Sequence, residues 1–189
     1  ALALKGMTPV MASEILISSP AEAHAFHDDA PFVFSGQALI VDTSFSTERM
    51  ISLAQPASIV VGEGVSFSLE GAVSATAAPI SAPLEKRGLG ELALRGPNSY
   101  TSNTLLREGS LRIGGDTPLG GILFTLQQQA GTVLEFEPGL QLRNHVQIMH
   151  AQQGDAALPG REGLAEWRVR DGLVWMVSDV TSAVPIRKT

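Results

Sequence analysis

The chain of 189 residues contains no cysteine, which excludes disulfides, zinc–thiolate centres and cysteine nucleophiles together. Aromatic residues make up only 5%, low for a closed two-sheet core, which leans on large rings. Positive charge is scarce as well. Thirteen Lys and Arg against nineteen Asp and Glu leave a net charge of −6, which argues against a nucleic-acid partner, whose footprint is a basic patch. No apolar run approaches the roughly 20 residues a membrane-spanning helix needs; the longest, 38–41 and 173–177, are strand-sized. The sequence opens on Ala1 with neither a basic n-region nor a cleavage signal and stops on Lys188 and Thr189 without a closing element, so an internal piece of something larger is expected.

What is present is strand and turn. Nineteen glycines and eleven prolines punctuate the whole length, and between them run short segments that alternate polar and apolar residues: 91–95, 110–113, 134–137, 140–143 and 145–148. A period of two turns one face of each strand inward. The expected core is Leu92, Leu94, Leu111, Ile113, Leu134, Phe136, Leu140, Leu142, Val146 and Ile148. Helical evidence is confined to Ser19-Pro20-Ala21-Glu22, which can open a short helix with serine as its cap.

Many short strands at regular spacing fit a sandwich or barrel, or a solenoid. The low aromatic content, the small residues and an internal echo between 81–86 and 183–188 favour the solenoid. Gly88 and Gly90, like Gly62 and Gly64, precede no helical pattern and so make no phosphate cradle.

Residues 84–121 resemble the passenger-associated transport repeat of bacterial autotransporters, the type V secreted proteins. The pattern falls on Leu84, Lys86, Gly88, Gly90, Leu92, Leu94, Gly96, Asn98, Tyr100, Gly109, Leu111, Ile113, Leu119 and Gly120, with one departure at Ser102-Asn103. Residues 50–74 resemble the strands that precede such a repeat, and 180–189 the start of another copy. Residues 1–45 match no named pattern.

The resemblance implies an all-β fold, a right-handed parallel β-helix, with 1–45 as an N-terminal cap, short helix or loop region and 46–189 as the β-helix segment. It implies a non-enzymatic structural segment of a passenger at, or released from, a Gram-negative cell surface, with no catalytic, cofactor or metal residues. The implied partners are host proteins or extracellular matrix, the passenger's own outer-membrane barrel during export, and further copies joined end to end. Asn98 and Tyr100 are expected to close a turn. The missing cysteines fit export, because a disulfide formed in an oxidising periplasm would obstruct passage through a narrow barrel.

Several residues have chemical potential, and each also has a plainer role. His24, His27, Asp28 and Asp29 form the one cluster of metal-ligand character, and an exposed loop explains them as well. His145 and His150 bracket an alternating strand and are expected at a sheet edge or facing outward. A polysaccharide-active β-helix enzyme is the alternative function, and it requires a protected carboxylate pair. Glu135 and Glu137 are expected instead on a solvated acidic face, with Glu166, Asp171 and Asp179 scattered. Trp167 and Trp175, near Arg168 and Arg170, are the best recognition patch, although core packing is expected of Trp175. Gln127, Gln128 and Gln129 are expected in an exposed loop or strand edge.

Overall fold

The computed structural model describes residues 14–27, 29–75, 83–115, 117, 119–121, 123–150, 153, 156–161, 163–169, 175–176 and 179–189. Its strands are short because a turn signal closes every alternating run, and they follow one another around a coil. The first coil holds β1 (Glu14–Ile17), α1 (Pro20–Ala25) and β2 (Phe32–Phe34). The second holds β3 (Ala38–Val41), β4 (Phe45–Thr47) and β5 (Ile51–Leu53), and the third β6 (Ala57–Val61), β7 (Ser66–Leu69) and β8 (Val73–Ala75). The fourth contributes β9 (Leu84–Arg87) and β10 (Glu91–Leu94), and the fifth β11 (Thr104–Leu106) and β12 (Ser110–Ile113). The sixth is β13 (Thr125–Gln129), β14 (Val133–Phe136) and β15 (Gln141–Leu142). The seventh is β16 (His145–Met149), β17 (Ala165–Val169) and β18 (Trp175–Met176). Last come β19 (Val180–Ser182) and β20 (Ile186–Lys188).

Each strand pairs in parallel with its counterpart one coil away. The first sheet runs β1-β3-β6-β9-β11-β13-β16-β19 and the second β4-β7-β10-β12-β14-β17-β20. The third face carries β2-β5-β8 and, further along, β15-β18. The chain is an all-β solenoid of about 7 turns, as the alternation and the repeat imply.

Stacking puts like on like. Down the second sheet the inward column reads Phe45, Phe67, Leu92, Leu111, Leu134 and Trp167. Beside it run Thr47, Leu69, Leu94, Ile113 and Phe136. All ten residues expected in the core are buried. Each fully buried leucine contributes about 1.5–3 kcal/mol relative to exposure. Coils approach so closely at the turns that some positions exclude a side chain. Gly109 has φ 69°, and a Cβ there would lie 2.4 Å from the Gly88 carbonyl oxygen of the coil before.

Where the fourth coil lacks a third-face strand, Asn98 and Tyr100 complete it. Asn98 Oδ1 accepts from the Val73 amide at 2.8 Å, and the Ser99 amide donates to Val73 O at 2.8 Å. The fully buried Tyr100 hydroxyl lies 2.6 Å from Thr104 Oγ1. Both residues close the turn, as expected.

At the N-terminal end the short helix forms. Ser19 Oγ accepts from the Glu22 amide at 3.3 Å, and Glu22 Oε2 accepts from the Ser19 amide at 3.0 Å, completing a capping box with Pro20 in the first turn. In the first coil α1 stands where later coils have a second-sheet strand. Phe26, just past it, is 1% exposed and packs on Phe32, Phe45 and Phe67 at ring separations of 5.1, 6.0 and 6.5 Å. Arg49 lies over the Phe26 and Phe32 rings and donates to the carbonyls of Phe26 and Ala30. Within 1–45, β1, β2 and β3 already belong to the parallel ladder.

Candidate functional site

The outward face of the second sheet carries the densest polar structure. Because parallel coils stack in register, outward residues of successive coils become neighbours, and here they alternate in charge. Arg112 donates to Glu91 at 2.6 Å and to Glu135 at 2.8 Å, linking the fourth, fifth and sixth coils. Arg95 donates to Glu70 at 3.0 Å and to Glu137 at 2.6 Å. The second of these reaches across a whole coil, and it can do so because Gly114 lies between: a Cβ there would sit 2.2 Å from Glu137 Oε2. Glu166 takes Arg161 at 2.7 Å and Arg168 at 2.6 Å. Burial would raise the Glu166 carboxyl, but hydrogen bonds and charge from both arginines hold it below the usual range. Glu70 is lowered in the same way against its own burial, by Ser68 and Arg95.

Glu135 and Glu137 therefore do not form the solvated acidic face expected. Glu135 is 5% exposed, and both carboxylates are spent on arginines. The protected, unpaired carboxylate pair that glycoside chemistry requires is not formed by these two.

Toward the N-terminus the same face changes character. Ser44, Ser46, Ser66, Ser68 and Ala93 floor a shallow hollow of about 370 Å³, walled by Glu91, Arg95 and Arg112. A second hollow of about 430 Å³ lies between His27, Asp29, Glu48, Arg49 and Glu70.

The other singled-out residues are dispersed. His24 and His27 are exposed with rings 6.5 Å apart, and His27 meets the edge of Phe45. Among the described residues no three His, Asp or Glu converge on one point. His145 Nε2 is 3.3 Å from Thr181 Oγ1, while His150 and Asp179 are exposed. Asp28, Arg170, Asp171 and the side chain of Trp175 lie outside the described residues. Trp167 is no surface anchor. It is 7% exposed, stands edge-on to Phe136 at 5.6 Å, and its indole donates to Gln128 Oε1 at 2.7 Å.

Three interior polar residues escaped the sequence reading. Gln128 and Gln129 are fully buried, not in an exposed loop. Gln128 follows Leu126 on the inward face of β13, a central strand, so its amide must find partners inside. Nε2 donates to the carbonyls of Thr132 at 3.3 Å and Glu166 at 3.4 Å. Lys86, the lysine of the repeat pattern, is also fully buried. Its Nζ donates to the carbonyls of Arg87, Gly88 and Glu108 at 2.8, 2.6 and 3.2 Å. Burial pulls its pKa down to about 7, with the Glu108 and Glu91 charges opposing. Its place in the repeat pattern was the available signal for the lysine; Gln128 could have been found by counting the alternation onward from Leu126.

Over 126 residues the chain is 29% identical to the "Adhesin BmaC autotransporter" of Brucella suis biovar 1 (strain 1330), a match that covers 67% of this chain. The matched stretch spans 3% of that protein's length. No family model matches the chain, and no solved structure matches it. The similarity to an autotransporter adhesin and the stacked parallel coils together fit an autotransporter passenger domain.

Proposed function

We propose that this chain is a structural β-solenoid segment of an autotransporter passenger, displayed at or released from the surface of a Gram-negative bacterium. The observation that carries the reading is the continuous parallel ladder of about 7 turns in a chain similar to an autotransporter adhesin. Its work is to extend and support, and its outward faces present surface to host proteins or extracellular matrix. No catalytic step is assigned to it, since Glu135, Glu137 and Glu166 are each bound to arginine.

The same architecture supports a role in export through the passenger's own outer-membrane barrel. Stability of roughly 0.05–0.15 kcal/mol per residue gives about 1–3 kcal/mol for a coil of about twenty residues. About 1.4 kcal/mol is a factor of ten, so each coil that stacks outside biases emergence roughly tenfold against sliding back. Nearest-neighbour stacking delivers that bias coil by coil.

Replacing Leu92, Leu94, Leu111 and Ile113 together by asparagine in the full-length parent tests this. Surface display, read by labelling intact cells, should collapse while synthesis continues. Undiminished display would overturn the export role.

A further inference from the structure

One inward column of the first sheet reads Leu39, Ile59, Lys86, Leu106, Gln128 and Ile148, coil upon coil. Four members are aliphatic. Such a column resists a one-residue slip, which would turn every side chain to the wrong face, but not a two-residue slip, which puts the next inward residue in its place. Dispersion and burial scarcely distinguish the two arrangements, because Leu, Ile and Val are near equivalents as filling.

Lys86 and Gln128 do distinguish them. Both reach from the inward face toward the corner that joins the first sheet to the second, and both take hold of two coils. Lys86 Nζ bonds the carbonyls of Arg87 and Gly88 in its own corner and of Glu108 in the next coil. Gln128 Nε2 bonds Thr132 O in its own corner and Glu166 O in the next coil, and its Oε1 takes the Trp167 indole there. A slip of the next coil by two residues would carry the Trp167 indole away from Gln128 Oε1 and the bend at Glu108 away from Lys86 Nζ, leaving a buried amide oxygen or ammonium short of a partner. An apolar group has nothing to lose in that way.

Gln128 stands opposite a strand that needs such help. β16 ends at Met149 and β17 begins at Ala165, and a connection of that length does not set strand register as a tight turn does. At the point of re-entry, Glu166 and Trp167 are the residues that Gln128 holds.

We propose that Lys86 and Gln128 are register keys: buried polar groups that fix the fifth coil on the fourth and the seventh on the sixth, and so select one ladder among apolar-equivalent alternatives. A buried polar group that sets register at no gain in stability is the best-attested use of such residues.

The test uses the whole 189-residue chain, whose lack of cysteine lets introduced pairs report alone. Glu135 stands beside Arg168 in the native ladder. In an otherwise unchanged chain, Glu135→Cys with Arg168→Cys should cross-link, and Val133→Cys with Arg168→Cys, shifted by two, should not. Adding Gln128→Met should leave the β-sheet circular dichroism and cooperative melting in place while the shifted pair begins to link. For Lys86→Met, amide hydrogen exchange in β11 should quicken about tenfold while exchange in β3 and β6 stays unchanged. If both variants keep exclusively native cross-links and native exchange, the proposal fails. It also fails if either variant simply does not fold, since the residue would then be a stability element. Gln128→Glu, which keeps a polar group able to accept from Trp167, should restore the native cross-link preference; no restoration would count against the assignment to that bond.

Discussion

The first three coils gather five phenylalanines at one end of the interior, whereas the coils from the fourth onward hold the single rings of Tyr100, Phe136 and Trp167 among aliphatic side chains and bury Lys86 and Gln128. Phe26, Phe32, Phe34, Phe45 and Phe67 are five of the seven phenylalanines, and they sit together at one end. Lys86 and Gln128 occupy the later coils, at a position where the early coils have Leu39 and Ile59. The outsides differ in the same sense. Ser46, Ser68 and Ala93 stack on the second sheet where Arg112, Glu135 and Arg168 follow further along. The early coils rest on area removed from water, which is large and indifferent to direction. The later ones add groups that are satisfied in one arrangement only.

The largest expected effect removes the aromatic plug. Phe26→Ala should lower unfolding stability by about 3–5 kcal/mol, in the range for deleting a buried ring. Urea denaturation measures the loss, and hydrogen exchange should place the quickened amides in the first three coils. Uniform quickening along the chain would erase the contrast between the two ends.

A pH series sharpens it from the other side. The Lys86 amine has its folded pKa drawn down to about 7 from an ordinary 10.5. Between those values the unfolded chain binds a proton that the folded one does not, so stability should rise with pH through that window. The slope approaches about 1.4 kcal/mol per pH unit at most. Comparing the native chain with Lys86→Met by thermal melting isolates the rise, and parallel profiles for the two would refute it. Below pH 7 both states carry the proton, and the burial penalty stays constant.

The smallest effect belongs to the outer ladder. Arg95 is about one third exposed, and partly solvated ion pairs contribute around 0–1 kcal/mol. Arg95→Gln should therefore shift the denaturation midpoint slightly, and added salt should narrow the difference further.

How much of this was legible beforehand follows from the same contrast. Strict alternation in Leu92 and Leu94, or Leu111 and Ile113, named the inward face without ambiguity, and the repeat pattern around them named the ladder. Ser19, Pro20 and Glu22 announced their helix through local chemistry, since a capping box is written within four residues. The polar interior was legible only in part: Lys86 held its place in the repeat pattern, but Gln127-Gln128-Gln129 reads as a wet stretch unless the alternation is carried on from Leu126. Glu135 misled for a related reason: its partner Arg112 is 23 residues away, and only the register of two coils brings them together. Trp167 likewise lies inward because β17 rejoins beneath Leu134, a fact of pairing that its neighbours in sequence do not encode.

The helix in the first coil gives the second sheet a direction. A strand bonded along the outer edge of β4 would have to displace α1 and uncover Phe26, so that edge of the seven-stranded sheet is covered by a helix.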